Sequence, residues 1–169
     1  MHESMRGISH MEWMILPFKR YADFEGRSRR KEYWMFILLN TVIMLILAGP
    51  FFFSLMSASI ANAGDPAGSE AALAAMLEGG VGLSLVGAGL YGLYALAAFI
   101  PSIAVTVRRL HDRDMSGWWY LGLSVAGLLP VVGFLASIAL FVLMVLPGTP
   151  GSNRFGVDPK DPYAEDVFA

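Results

Sequence analysis

The sequence predicts an all-α integral membrane protein folded as a compact transmembrane helical bundle, and three observations carry that prediction. Its 169 residues are 56% hydrophobic and only 15% charged, with a mean hydropathy of +0.55, too apolar for a soluble core of that size. The apolar residues form long runs with the charges gathered between them. One of those breaks, Arg108 to Trp119, places arginines and tryptophans side by side. Such a segment belongs where hydrocarbon meets water, because arginine is expensive at the bilayer centre and tryptophan favours the headgroup zone.

Residues 1–32 read as a cytoplasmic N-terminal segment. Met1 to His10 has no pattern and, with methionines again at Met5 and Met11, reads as a leader extension or a start placed upstream. Trp13, Leu16, Arg20 and Phe24 recur at three- and four-residue spacing, which predicts a short amphipathic helix lying on the membrane despite Pro17. Arg27, Arg29, Arg30 and Lys31, preceded by Lys19 and Arg20, hold the N-terminus inside. No signal peptide is expected: the first long apolar run begins near Tyr33, too late and too long, with no cleavage pattern behind it.

Residues 33–146 are the transmembrane domain. The first span is 33–56, bent or ended by Gly49-Pro50, with Asn40 suited to an interhelical hydrogen bond. Residues 57–80 carry Asp65, Glu70 and Glu78 and no Lys or Arg, so they form the outside loop. Within it, Asp65-Pro66 and Gly79-Gly80 bracket a short helix bearing Leu73, Met76 and Leu77. The second span, 81–107, is longer than the hydrocarbon requires and must tilt, kink at Pro101 or project. Its ladder of Ser84, Ala88 and Gly92 predicts helix packing, within the chain or between protomers. The run from Trp118 to Leu146 leaves two readings. Two short helices, 118–129 and 130–146, broken at Pro130, give four helices and a cytoplasmic C-terminus; a single kinked helix gives three spans and a tail outside. Residues 147–169 are an irregular polar tail whose charges are balanced and do not arbitrate.

The four-helix reading brings Arg27, Arg29, Arg30, Arg108, Arg109, His111, Asp112, Asn153 and Arg154 to one cytoplasmic face beside Trp118 and Trp119. Guanidiniums next to indoles suit an anionic lipid headgroup, the planar fork gripping phosphate and the rings fixing depth. The plainer alternative is anchoring, with Glu32 and Asp112 pairing the arginines. His111-Asp112 suggests an acid-base pair, but adjacent residues on a helix do not face each other. The chain has no cysteine, which excludes disulfides, thiolate metal sites and thiol catalysis. It also shows no nucleophile with an evident base, no metal-ligand spacing and no phosphate-binding glycine loop. The expectation is therefore a non-enzymatic structural or interaction module without cofactor or metal. Its expected partners are membrane lipids and a homo-oligomer or another membrane protein, not nucleic acid. The runner-up is a small-solute transporter or channel component, against which the spans offer almost no ionisable groups.

Three stretches are distinctive together: Phe24-Glu25-Gly26-Arg27-Ser28-Arg29-Arg30-Lys31-Glu32-Tyr33-Trp34; Arg108-Arg109-Leu110-His111-Asp112 with Ser116-Gly117-Trp118-Trp119; and Pro147-Gly148-Thr149-Pro150-Gly151-Ser152-Asn153-Arg154-Phe155-Gly156. In that order, at the borders of apolar runs, they resemble the DUF805 family of small, YhaH-like bacterial inner-membrane proteins over roughly Met11 to Pro162. The resemblance implies a compact helical inner-membrane protein and no established activity. The loop 57–80 is longer than the compact family pattern.

Overall fold

Ser9 opens the first helix: its hydroxyl accepts the Glu12 amide at 3.2 Å and the Glu12 carboxylate accepts the Ser9 amide at 2.6 Å, a capping box. The computed structural model describes residues 9–61, 68, 70 and 82–160. Among them are six helices: α1 His10–Lys19, α2 Arg30–Leu47, α3 Gly49–Ala61, α4 Gly82–His111, α5 Trp118–Ala126 and α6 Pro130–Val145. The described residues contain no strand, only an isolated bridge between Asn153 and Gly156. The short helix expected between Asp65 and Gly80, and residues 1–8, lie outside the described residues apart from 68 and 70.

The chain divides into two units, Met1–Ile37 with Phe99–Ala169, and Leu38–Ala98. In the second unit the backbone turns by 60° between α2 and α3. Hydrogen bonds run up to and past the corner, from the Ala48 amide to Met44 and from the Phe52 amide to Ala48, but Pro50 has no N–H to give and kinks the chain. Asn40 accepts the Tyr94 hydroxyl at 3.0 Å, joining α2 to α4. Their closest approach is at Gly87, where a Cβ would collide with the Leu47 carbonyl. That point is one residue off the Ser84, Ala88, Gly92 ladder: Ser84 and Ala88 are half-buried, and a Cβ on Gly92 would meet nothing within 4 Å. At 30 residues, α4 is the one described helix long and apolar enough to cross a membrane alone; the bent pair of α2 and α3, taken as one span, makes two. It runs without interruption through the buried Pro101.

In the first unit α1 turns Trp13 and Pro17 inward, Trp13 being only 2% exposed. Phe18 packs edge-on against Phe36 with ring centroids 5.3 Å apart, and Arg29 and Lys31 lie over the Trp13 ring. The aromatic stripe expected to face lipid thus has Trp13 committed to the protein, while Met11 and Ile15 point out. The last apolar run is two helices, as α5 and α6 pack on each other across the turn 127–129, with Pro130 in the first turn of α6.

Candidate functional site

The last turn of α4 carries Arg108 and Arg109, both with no exposed surface. Cations there oppose the negative end of the helix dipole. They point to different partners. Arg108 Nη2 donates to Glu32 Oε1 at 2.9 Å, and its Nη1 donates to the Asp23 carbonyl. Glu32 sits in the first turn of α2, where a carboxylate is favoured, and is 2% exposed. The Ser28 amide returns a bond to the Arg108 carbonyl at 3.1 Å, tying the segment before α2 to the end of α4.

Arg109 turns to Asp112, one turn on, and to the end of α6: its Nη1 donates to Asp112 Oδ2, its Nε to the Met144 carbonyl at 3.3 Å and its Nη2 to the Leu146 carbonyl. Arg30 takes the Val145 carbonyl at 3.2 Å and Arg113 the Pro147 carbonyl at 3.1 Å. These are carbonyls that a helix end leaves without partners. The last turn of α6 contains no basic residue of its own, and its C-cap Leu146 is extended, so arginines from α2 and α4 serve instead.

Arg27 completes the arrangement with five hydrogen bonds. Nε donates to Asp112 Oδ1 at 3.0 Å, Nη1 to the carbonyls of Gly151 at 2.6 Å and Gly156 at 3.5 Å, and Nη2 to those of Thr149 at 2.6 Å and Asp112 at 3.4 Å. The Thr149 amide bonds the Asp112 carbonyl at 2.8 Å. A Cβ on Gly148 would overlap the Asp112 carboxylate, so only glycine lets the chain pass there. His111 is directed at neither arginine nor Asp112: its Nδ1 lies 3.2 Å from the Gly26 carbonyl and therefore carries the proton, and its ring stacks on Phe155 at 3.9 Å and 3°. Asn153 Nδ2 donates to the His111 carbonyl at 2.9 Å and to Thr149 Oγ1 at 3.1 Å.

The structure therefore brings together Arg27, Arg30, Arg109, His111, Asp112 and Asn153, with the Arg108–Glu32 pair alongside. Arg154 lies at the rim, in an exposed pair with Asp114 at 3.1 Å and over the Phe155 ring at 4.8 Å. Arg29 lies over Trp13. Trp118 and Trp119 are 77% and 56% exposed. Outside the cluster, the Asp23 carboxylate accepts Arg20 Nε at 2.8 Å and the Glu25 amide at 3.0 Å. Partial burial raises its pKa, and these bonds with the Arg20 and Arg108 charges outweigh that, leaving it below the ordinary aspartate value. Gly148, Thr149, Gly151 and Phe155 belong to the third distinctive stretch of the sequence but were not among the expected site residues. Their signal was membership of that motif and its glycine- and proline-rich spelling; a backbone carbonyl acceptor has no letter of its own.

A family model described as "Protein of unknown function (DUF805)" matches residues 21–157. The chain is 38% identical over 150 residues to "Inner membrane protein YhaH" of Escherichia coli (strain K12), covering 89% of this chain and 98% of that one. It is 35% identical over 150 residues to "Inner membrane protein YhaI" of the same strain, covering 89% and 97%. A more distant match is "Uncharacterized protein YiiR", 28% identical over 158 residues, covering 82% and 87%. No solved structure matches.

Proposed function

The chain belongs to the DUF805 family, and from that premise we propose that it is a multi-pass inner-membrane interaction module whose cytoplasmic cap gathers anionic lipid headgroups at its rim. The relatives YhaH and YhaI both carry the name inner membrane protein. The basic segments 19–31 and 108–113 stay in the cytoplasm, the acidic segment after α3 lies outside, and the bent pair of α2 and α3, taken as one span, and α4 cross between them. The observation that carries the reading is Arg27 holding Asp112 and the carbonyls of Thr149 and Gly151 at once. A tail gripped this way sits on the same side as the basic cluster.

The same bonds divide the arginines into two sets. Arg27, Arg108 and Arg109 are buried and give most of their donors to the protein itself, so they fasten the cap. The exposed cations Lys19, Lys31 and Arg154 remain for phosphate oxygens, each worth about 1 kcal/mol at an anionic surface. Exposed Trp118 and Trp119 set the depth.

The test is twofold. In this cysteine-free chain, Ser69→Cys in intact cells takes an impermeant maleimide and Ser152→Cys takes it only after the membrane is opened. Separately, Lys19→Gln with Lys31→Gln and Arg154→Gln halves the anionic phospholipid retained on purification. Outside labelling at Ser152 rejects the topology; unchanged lipid retention rejects the headgroup role.

A further inference from the structure

We propose that α5 and α6 form a re-entrant hairpin that enters the hydrocarbon from the cytoplasmic side and turns back without reaching the other face, its exposed sides covered by acyl chains. The inference rests on the topology proposed above and goes beyond it.

The argument begins with length. Helix α5 has nine residues and α6 sixteen, about 14 Å and about 24 Å at 1.5 Å per residue. Both ends of the hairpin are tied to one polar layer. Gly117, just before α5, packs so closely on Val107 and His111 that a Cβ there would crowd the Val107 side chain. At the other end, the carbonyls of Met144 and Leu146 are held by Arg109. Measured from that layer, α5 with the turn 127–129 reaches about 18 Å and α6 about 24 Å. A hydrocarbon core is about 30 Å thick. The apex therefore stops inside it.

The surface has the composition such a location requires. From Leu121 to Val145 the exposed large residues are all apolar: Leu128 is 82% exposed, Val131 76% and Phe134 68%. The hydroxyls of Ser124 and Ser137 donate back to carbonyls one turn earlier, of Tyr120 and Gly133. No side chain from 121 to 145 is ionisable. Trp118 and Trp119 stand at the mouth, where indoles favour the headgroup zone.

The apex also limits its unpaired backbone. The Gly127 amide bonds to Leu123 and Val125, those of Leu128 and Leu129 to Val125 and Ala126, and that of Gly133 to Leu129 at 2.6 Å. Pro130 has no N–H. Among the described residues only the Val131 and Val132 amides of this turn lack an acceptor, against the four N–H groups an ordinary helix start leaves open.

Leu128→Cys and Val131→Cys, made separately in the full chain, test the idea beside Ser69→Cys and Ser152→Cys, each required to be recovered from the membrane and monodisperse in detergent. Because both apex side chains are exposed on the protein, only lipid can shield them from maleimide. Labelling of both below a tenth of the Ser69 variant from outside, and below a tenth of the Ser152 variant after opening, is expected. Bimane attached in detergent at either position, after reconstitution into phosphatidylethanolamine–phosphatidylglycerol vesicles, should be quenched most by mid-chain spin labels. Apex labelling from outside at the Ser69 level means the hairpin crosses, and strong labelling after opening means it never enters the hydrocarbon; either overturns the inference. Outside labelling of Ser152 instead rejects the underlying topology.

Discussion

Replacing Arg27 separates two explanations of why an arginine stands there, topological anchor or clamp. Arg27 and Asp112 are 7% and 3% exposed, so Arg27→Ala leaves a buried carboxylate with one partner in place of two and removes five donated bonds at once. Breaking a buried pair by removing one partner costs about 3–5 kcal/mol, and Gly151, already exposed, regains water. We take about 4 kcal/mol, or roughly 10 °C in melting temperature for a chain of this size. The tail should loosen first. Limited trypsin digestion of the detergent-solubilised protein is expected to cut at Arg154 and Lys160 at least tenfold faster, with thermal unfolding followed by tryptophan fluorescence. Arg27→Lys decides the matter. A lysine keeps the positive charge, yet one ammonium cannot span Asp112, Thr149 and Gly151 as the planar fork does, so it should behave like alanine. If lysine restores both the melting temperature and the protection, charge alone matters and the clamp argument is wrong.

Other outcomes follow from single contacts. Gly148→Ala forces a methyl into the Asp112 carboxylate and is expected to cost about 3 kcal/mol by overpacking, seen as a lower melting temperature and faster tail cleavage, whereas Gly92→Ala, facing open space, should change neither. Tyr94→Phe deletes the bond to Asn40 and should cost only about 0.6 kcal/mol, a typical value for a hydrogen bond between membrane helices; a loss of several times that in thermal unfolding would mean Asn40 is left without a substitute partner. Glu12 has its pKa lowered, first by the Ser9 amide and then by the Ser9 hydroxyl. A carboxylate depressed in the folded state stabilises above its ordinary value and loses that contribution as pH falls through the lowered one. Protection from hydrogen exchange in the first turn of α1, taken relative to the intrinsic exchange rate at each pH, should therefore fall on acidification, and Glu12→Gln should show low protection that does not change with pH through that range.

Much of this arrangement is legible in the letters, and the remainder depends on contacts that letters do not encode. Arginines bordering apolar runs mark the membrane surface by charge, and Glu32 and Asp112 are the evident acids for them to meet. Pro130 breaks the last run because its ring and missing N–H are incompatible with a helix interior. What stays hidden is which acceptors the arginines choose. Most are backbone carbonyls, of Asp23, Met144, Val145, Leu146, Pro147, Thr149 and Gly151, and every residue has one. The Gly92 ladder shows another limit: a four-residue period identifies a smooth helix face, but the contact falls where the Leu47 carbonyl lies, near the Pro50 corner.

The cap also explains why a cluster so rich in arginine need not be an anion site at its centre. Arg108 is balanced by Glu32, while Arg27 and Arg109 share Asp112 and leave one positive charge over. That excess faces two helix C-termini, of α4 at His111 and α6 at Val145, each equivalent to roughly half a negative charge. Carbonyls at both ends take guanidinium N–H groups, so the dipoles and the hydrogen bonds act on the same atoms. The interior is thereby close to neutral without a ligand, and a phosphate forced into it would have to displace backbone acceptors already in place. An external anion gains most where cations have no buried carbonyl network to give up, at Lys19, Lys31 and Arg154. Substituting those three should alter what the protein attracts without altering how it folds, and substituting Arg27 or Arg109 should do the reverse.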